Sequence, residues 1–137
     1  MSTPTNQLSF TMPPNACNAH LHIIDPAFPN DGHAAAQIGT VDAYRQLARD
    51  LNLPRAVFVQ GKPFALDNTC LLDAIARFGK ENARGIAVVD HTVTNRELEI
   101  LHEGGVRGLR FSVWNPNNAV ITMDDCLPLS QRIKEFG

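Results

Sequence analysis

The chain has 137 residues, of which 44% are hydrophobic and 19% charged, with a formal net charge of -2. That is the make-up of one globular domain, and it excludes disorder, collagen and a long helical repeat. The near-neutral balance offers no electrostatic footprint for nucleic acid or an anionic membrane, and no apolar run approaches the roughly 18 residues that span a bilayer.

Residues 1–15 are polar and end in the Pro13-Pro14 pair, so they are expected to form a flexible lead-in. They lack the basic start and apolar centre of a secretory leader. Residues 16–24 read as a first strand. Residues 25–39, rich in Pro, Gly, Asn and Ala, read as a long loop. Thr40 is placed to cap a helix through Leu51, with Val41, Tyr44, Leu47, Ala48 and Leu51 on one stripe. Residues 55–60 form a second, short strand, and 61–66 a loop. Asp67 or Asn68 can then cap a helix over 70–78 that Gly79 closes.

Residues 83–90 read as a third strand. Thr94 and Glu97 have the spacing of a capping box, the clearest helix start in the chain. Gly104-Gly105 stops that helix, and residues 106–113 form a fourth strand. Residues 115–120 are loop. A last helix runs to Phe136, with Pro128 tolerable only in its first turn. The order β-α-β-α-β-α-β-α implies parallel strands joined by helical crossovers. An open doubly wound sheet and part of a closed barrel both satisfy it. Long polar segments after strands 1, 2 and 4 favour the barrel, which builds its sites there. Neither GxGxxG nor GxxxxGK[ST] is present.

His20-Leu21-His22 is the sharpest chemical signal. Side chains two apart on a strand share a face. Two imidazoles on one face suit a divalent cation, general acid–base work, or a hydrogen-bonded polar interior. On strand 4, Val106, Gly108, Arg110, Ser112 and Trp114 share one parity, while Arg107, Leu109, Phe111 and Val113 share the other. The second set is mainly apolar and is expected under the helices, which turns Arg110 toward the interior. A guanidinium there needs a partner, either a substrate carboxylate or a structural carboxylate on a neighbouring strand. By the same parity Phe58, Gln60 and Lys62 share a face, so Gln60 and Lys62 are candidate substrate contacts. His91 stands at the rim after strand 3, while His33 and His102 read as surface residues. Cys17, Cys70 and Cys126 are odd in number, widely spaced and without CxxC. They suggest unpaired thiols in a reducing cytoplasm rather than a disulfide framework.

Several segments resemble one family in order and spacing: 18–25 around His20 and His22, Val59-Gln60-Gly61, 66–68 with 71–74, 84–90, and 105–111 around Arg110. The chain resembles the amidohydrolase-related family of TIM-barrel hydrolases, in the branch of 2-pyrone-4,6-dicarboxylate lactonase and sugar-acid lactone enzymes. The resemblance implies a (β/α)8 barrel of about twice this length, with residues 16–137 as its N-terminal half. It implies that His20 and His22 act at the active site, as catalytic groups or as ligands of one zinc or manganese ion. Some members work without metal, so both states stay open.

The same likeness implies that Arg110 lies near a substrate carboxylate, and that later histidines and a strand-8 aspartate fall after Gly137. The expected activity is therefore hydrolysis of a carboxylate-bearing lactone, with isomerisation or decarboxylation on the same scaffold as a close alternative. Asn18, Lys62 and His91 depart from residues common in relatives, Lys62 most consequentially. Expected partners are a small carboxylate substrate and a second copy in a homo-oligomer. A rival expectation of another class is a truncated, non-catalytic fragment with open strand edges.

Overall fold

In the computed structural model, residues 10–34, 38–117 and 119–136 are described. The lead-in expected over 1–15 therefore lies mostly outside the described residues. Four strands form one parallel sheet in the order β1-β2-β3-β4: β1 (Cys17–Leu21), β2 (Arg55–Val59), β3 (Ala83–Ala87) and β4 (Val106–Leu109). The crossovers carry α1 (Val41–Asp50), α2 (Thr69–Phe78) and α3 (Asn95–Glu103), and α4 (Met123–Ile133) follows β4. Every strand is shorter than its apolar run suggests, because the last residues leave the ladder to build the rim. After β1, for example, Ile24 turns away and makes an antiparallel bridge with Gly39. That bridge closes the base of the long first loop.

Apolar packing lies between the sheet and its helices. Phe58 is fully buried and stacks edge-on with Tyr44 of α1 and Phe78 of α2, at centroid distances of 5.9 and 5.5 Å. Of the stripe expected on α1, Val41, Tyr44 and Ala48 are buried, but Leu47 is 50% exposed. Burial also pushes the Tyr44 hydroxyl pKa up, opposed in part by its contact with Asn18.

The helix starts follow local chemistry. Thr40 accepts from the Ala43 amide, and Thr94 and Glu97 form the reciprocal capping box. At α2 it is Asp67 whose carboxylate accepts from the Thr69 amide and hydroxyl. α4 differs from expectation. It starts after Thr122, whose amide and hydroxyl both donate to the Asp125 carboxylate, and Pro128 falls in the second turn rather than the first. Pro128 therefore offers no N–H to the Asp124 carbonyl one turn earlier.

Two register shifts decide which side chains face away from the helices. In β4, Gly85 pairs with Val106 but Ile86 pairs with Gly108, so Arg107 is an extra residue. A Cβ at Gly85 would meet Ile75, Leu71 and Val106, whereas one at Gly108 would meet Ile86. Val106 is thus on the helix face, and Gly108 and Arg110 are on the opposite one. The single parity expected for this strand is corrected at Val106 and holds from Gly108 onward. In β1, Asn18 pairs with Ala56 and Leu21 with Phe58, again with one extra residue. Asn18 and Leu21 both take the helix side, and the residues flanking Leu21, His20 and His22, take the other. No helix among the described residues is long and apolar enough to cross a membrane.

Candidate active site

One residue past the end of each strand comes a rim position: His22, Gln60, Val88 and Arg110. The sequence candidates therefore gather at the carboxyl edge of the sheet, where parallel α/β folds place their chemistry. The rings of His20 and His22 meet edge to face at 5.3 Å between centroids. His22 Nδ1 lies 2.9 Å from the Val59 carbonyl oxygen. A carbonyl only accepts, so Nδ1 carries the proton and, in the neutral ring, Nε2 carries the free lone pair. That is the state a metal ligand or general base requires. Among the described residues no group of three or more His, Cys, Asp or Glu side chains converges. His20 and His22 therefore stand as two adjacent imidazoles, short of the three protein ligands a catalytic zinc centre takes.

On the other side of β2, the Gln60 amide bonds the Ile86 carbonyl of β3. Its own carbonyl points the same way and accepts from Arg110 Nη1 at 3.3 Å. Successive carbonyls of a strand point to opposite neighbours, so Val59 orients His22 and Gln60 orients Arg110. Among the described residues Arg110 forms no ion pair. With Gln60, Lys62, Val88, Ser112 and Trp114 it lines a pocket of about 160 Å³. Among the described residues no carboxylate of β3, its one neighbour in this sheet, pairs with Arg110.

Lys62 reaches this pocket by a different route from the expected one. β2 ends at Val59, so strand parity does not extend to Lys62, which opens a 3₁₀ turn over Lys62–Phe64. Gly61 permits that turn to pack closely, since a Cβ there would come within 2.5 Å of Ile24 Cδ1. Phe58 faces the helices, and the Gln60 side chain is buried at 2% exposure. Its amide nitrogen donates to the Ala65 carbonyl at 3.3 Å and the Asp67 carbonyl at 2.7 Å. A carboxylate needs a donor, and both amide hydrogens of Gln60 are already used.

The remaining candidates lie away from this pocket. His91 is exposed at the rim, in a separate depression with Thr122 and Asp125. His33 is exposed and beside Asp31, and His102 packs against Phe136 near the amino end of β4. Cys17 is exposed, Cys126 half-buried, and Cys70 buried with its thiol pKa raised chiefly by burial.

The sequence reading did not anticipate the role of Asn68. Its side chain brackets Val88, donating to that carbonyl at 2.8 Å and accepting from that amide at 3.1 Å. It does not cap α2. Asn beside Asp ahead of a helix offers one capping side chain more than the helix needs, which is the signal that was present.

The chain belongs to the amidohydrolase family, whose model matches residues 17–124. It is 29% identical to a 2-pyrone-4,6-dicarboxylate hydrolase of Comamonas testosteroni over 133 residues, 93% of this chain and 43% of that protein. It is 31% identical to a 4-sulfomuconolactone hydrolase of Rhizobium radiobacter over 124 residues, 85% of this chain and 40% of that protein. A solved Agrobacterium tumefaciens structure, in apo form, superposes with a TM-score of 0.77 at 23% identity, over 91% of this chain and 46% of that one. The chain thus spans less than half the length of the relatives it matches. Its four strand–helix units correspond to half of a TIM barrel rather than to an open doubly wound sheet.

Proposed function

We propose that these four units carry half of the active site of a hydrolase that opens a carboxylate-bearing lactone. The observation that carries this reading is Arg110: a half-buried guanidinium on the interior face, held by a backbone carbonyl and without an acidic partner among the described residues. A fixed cation in a pocket is matched by a bidentate carboxylate. Lys62 adds a second positive charge at the mouth of the same pocket. The lactone-hydrolase names of the relatives support the same substrate class.

Ring opening adds water to the acyl carbon, breaks the ring C–O bond and places a proton on the leaving oxygen. His22 offers a lone pair at Nε2, because Nδ1 is committed to Val59. Neutral His22 therefore takes a proton from water or holds a cation; it polarises the ester carbonyl only when protonated. His20 stands beside it as the second polarising group or ligand. A divalent ion, if bound, would supply Lewis acidity, with the third ligand coming from beyond the four units. The carboxylate that directs the water belongs to that same remainder of the barrel.

The test is a pair of lactones alike except for a ring carboxylate, offered to a full-length barrel that contains these four units and followed by product mass. The reading expects the carboxylated ring alone to gain the mass of one water. Turnover without a mass change would replace hydrolysis by isomerisation. Equal turnover of both rings would remove Arg110 as the anchor.

A further inference from the structure

The segment between β2 and α2 has an unusual backbone. Ala65, a residue with a Cβ, sits at φ 47 and ψ -113. Such a conformation persists only where the surroundings over-determine it, and it concentrates at functional sites. Here the surroundings are two buried side-chain amides. Gln60 donates to the carbonyls of Ala65 and Asp67, and Asn68 donates to the carbonyl of Leu66 at 3.0 Å. Three consecutive loop carbonyls are thus held from inside, on the strained residue and the two that follow it. Asn68 also clasps Val88, so the loop is fastened to the end of β3 as well as to β2. What this fastened loop presents is Lys62, on the same pocket as Arg110.

We propose that Gln60 and Asn68 are positioning residues: a buried amide latch that holds the strained 61–67 loop so that Lys62 faces the Arg110 pocket, with Gln60 not itself a substrate contact. What Lys62 binds rests on the function proposed above; the latch itself does not. Leaving loop carbonyls unpaired frees the strained segment to relax, and the relaxed loop carries Lys62 out of register with Arg110.

The experiment uses the full chain, with isophthalate as a planar dicarboxylate probe. Trp114 is the only tryptophan and lines the pocket, so its fluorescence reports occupancy. Gln60→Leu is compared with the parent in two backgrounds, with Lys62 present and with Lys62→Met. With Lys62 present we expect Gln60→Leu to weaken binding about tenfold. In the Lys62→Met background the same change should alter binding by no more than about twofold, because its effect runs through Lys62. Hydrogen exchange at the Phe64, Ala65 and Asp67 amides should accelerate in Gln60→Leu while β3 amides stay protected.

An equal loss in both backgrounds would overturn the proposal, since Gln60 would then act on the ligand directly. So would unchanged exchange in the loop. If the parent chain binds no isophthalate, the proposed function fails, and the latch is decided by exchange alone. Should Gln60→Leu not fold, Asn68→Asp, which keeps the acceptor for Val88 and loses both donors, is carried through the same cycle with the same expected readings.

Discussion

The ends of β2 and β4 occupy the same rim, yet they are built differently. After β2, Gln60, Gly61, Pro63, Phe64 and Asn68 are all buried, and the loop carbonyls have side-chain donors. After β4, residues 110–113 are half-buried, Trp114 is 83% exposed, and Asn115 accepts from the Asn117 amide of its own turn. The difference follows from position in the sheet. β2 has a strand on each side, and both neighbours contribute partners to its end: His22 from β1, Ile86 and Val88 from β3 by way of Gln60 and Asn68. β4 has β3 alone. The β2 end finds its partners within these four units, whereas among the described residues Arg110 has a backbone carbonyl and no acidic partner.

That contrast can be tested by substitution at matched places. Phe58→Ala, in the centre of the sheet, should lower unfolding free energy by about 3–5 kcal/mol, and Leu109→Ala, half-buried at the edge, by about 1–2 kcal/mol. Equal losses in chemical denaturation would break the comparison. At the rim, Asn68→Ala leaves three backbone groups without their partners, and should cost about 2–3 kcal/mol. Ser112→Ala, in the pocket but with no side-chain partner among the described residues, should stay within about 0.5 kcal/mol.

The helix starts predict smaller effects on both sides of the comparison. Thr94→Ala should cost about 1 kcal/mol by thermal denaturation at neutral pH. Glu97 and Asp125 have pKa values lowered first by the backbone amides of Thr94 and Thr122, then by the hydroxyls. A lowered folded pKa contributes stability above the unfolded value and loses it as pH falls through the folded one. The gap between the parent and Thr94→Ala should therefore narrow on acidification below about pH 4. A gap constant with pH would assign the cap to the threonine hydroxyl alone.

Much of this fold is legible in the sequence because its signals are local. The Thr94–Glu97 box, the Gly79 stop and the HxH pair each need only a few neighbouring residues to act. The places where sequence reasoning departs from the structure are those set by contacts distant in the chain. Arg107 reads as an ordinary strand residue until pairing with β3 makes it a bulge, which moves Val106 to the helix face. Gln60 does line the Arg110 pocket, but parity does not show that the strand ends at Val59 and that its amide is taken up by a loop folding back over it. Asn68 reads as a cap because its true partner, Val88, lies on another strand. Pro128 sits one turn later than helix chemistry favours, and nothing else in the structure explains why it is there.

The most direct measurement of the account is the affinity of the protein for isophthalate and for benzoate, read by Trp114 fluorescence, with Arg110 intact and as Arg110→Gln. If Arg110 is the carboxylate anchor, Arg110→Gln weakens isophthalate by about 10- to 100-fold, the worth of a lost charge-assisted hydrogen bond. Benzoate, with one carboxylate, binds the intact protein more weakly than isophthalate and loses detectable binding in the variant. Unchanged affinity of both ligands in Arg110→Gln would contradict the assignment of the pocket.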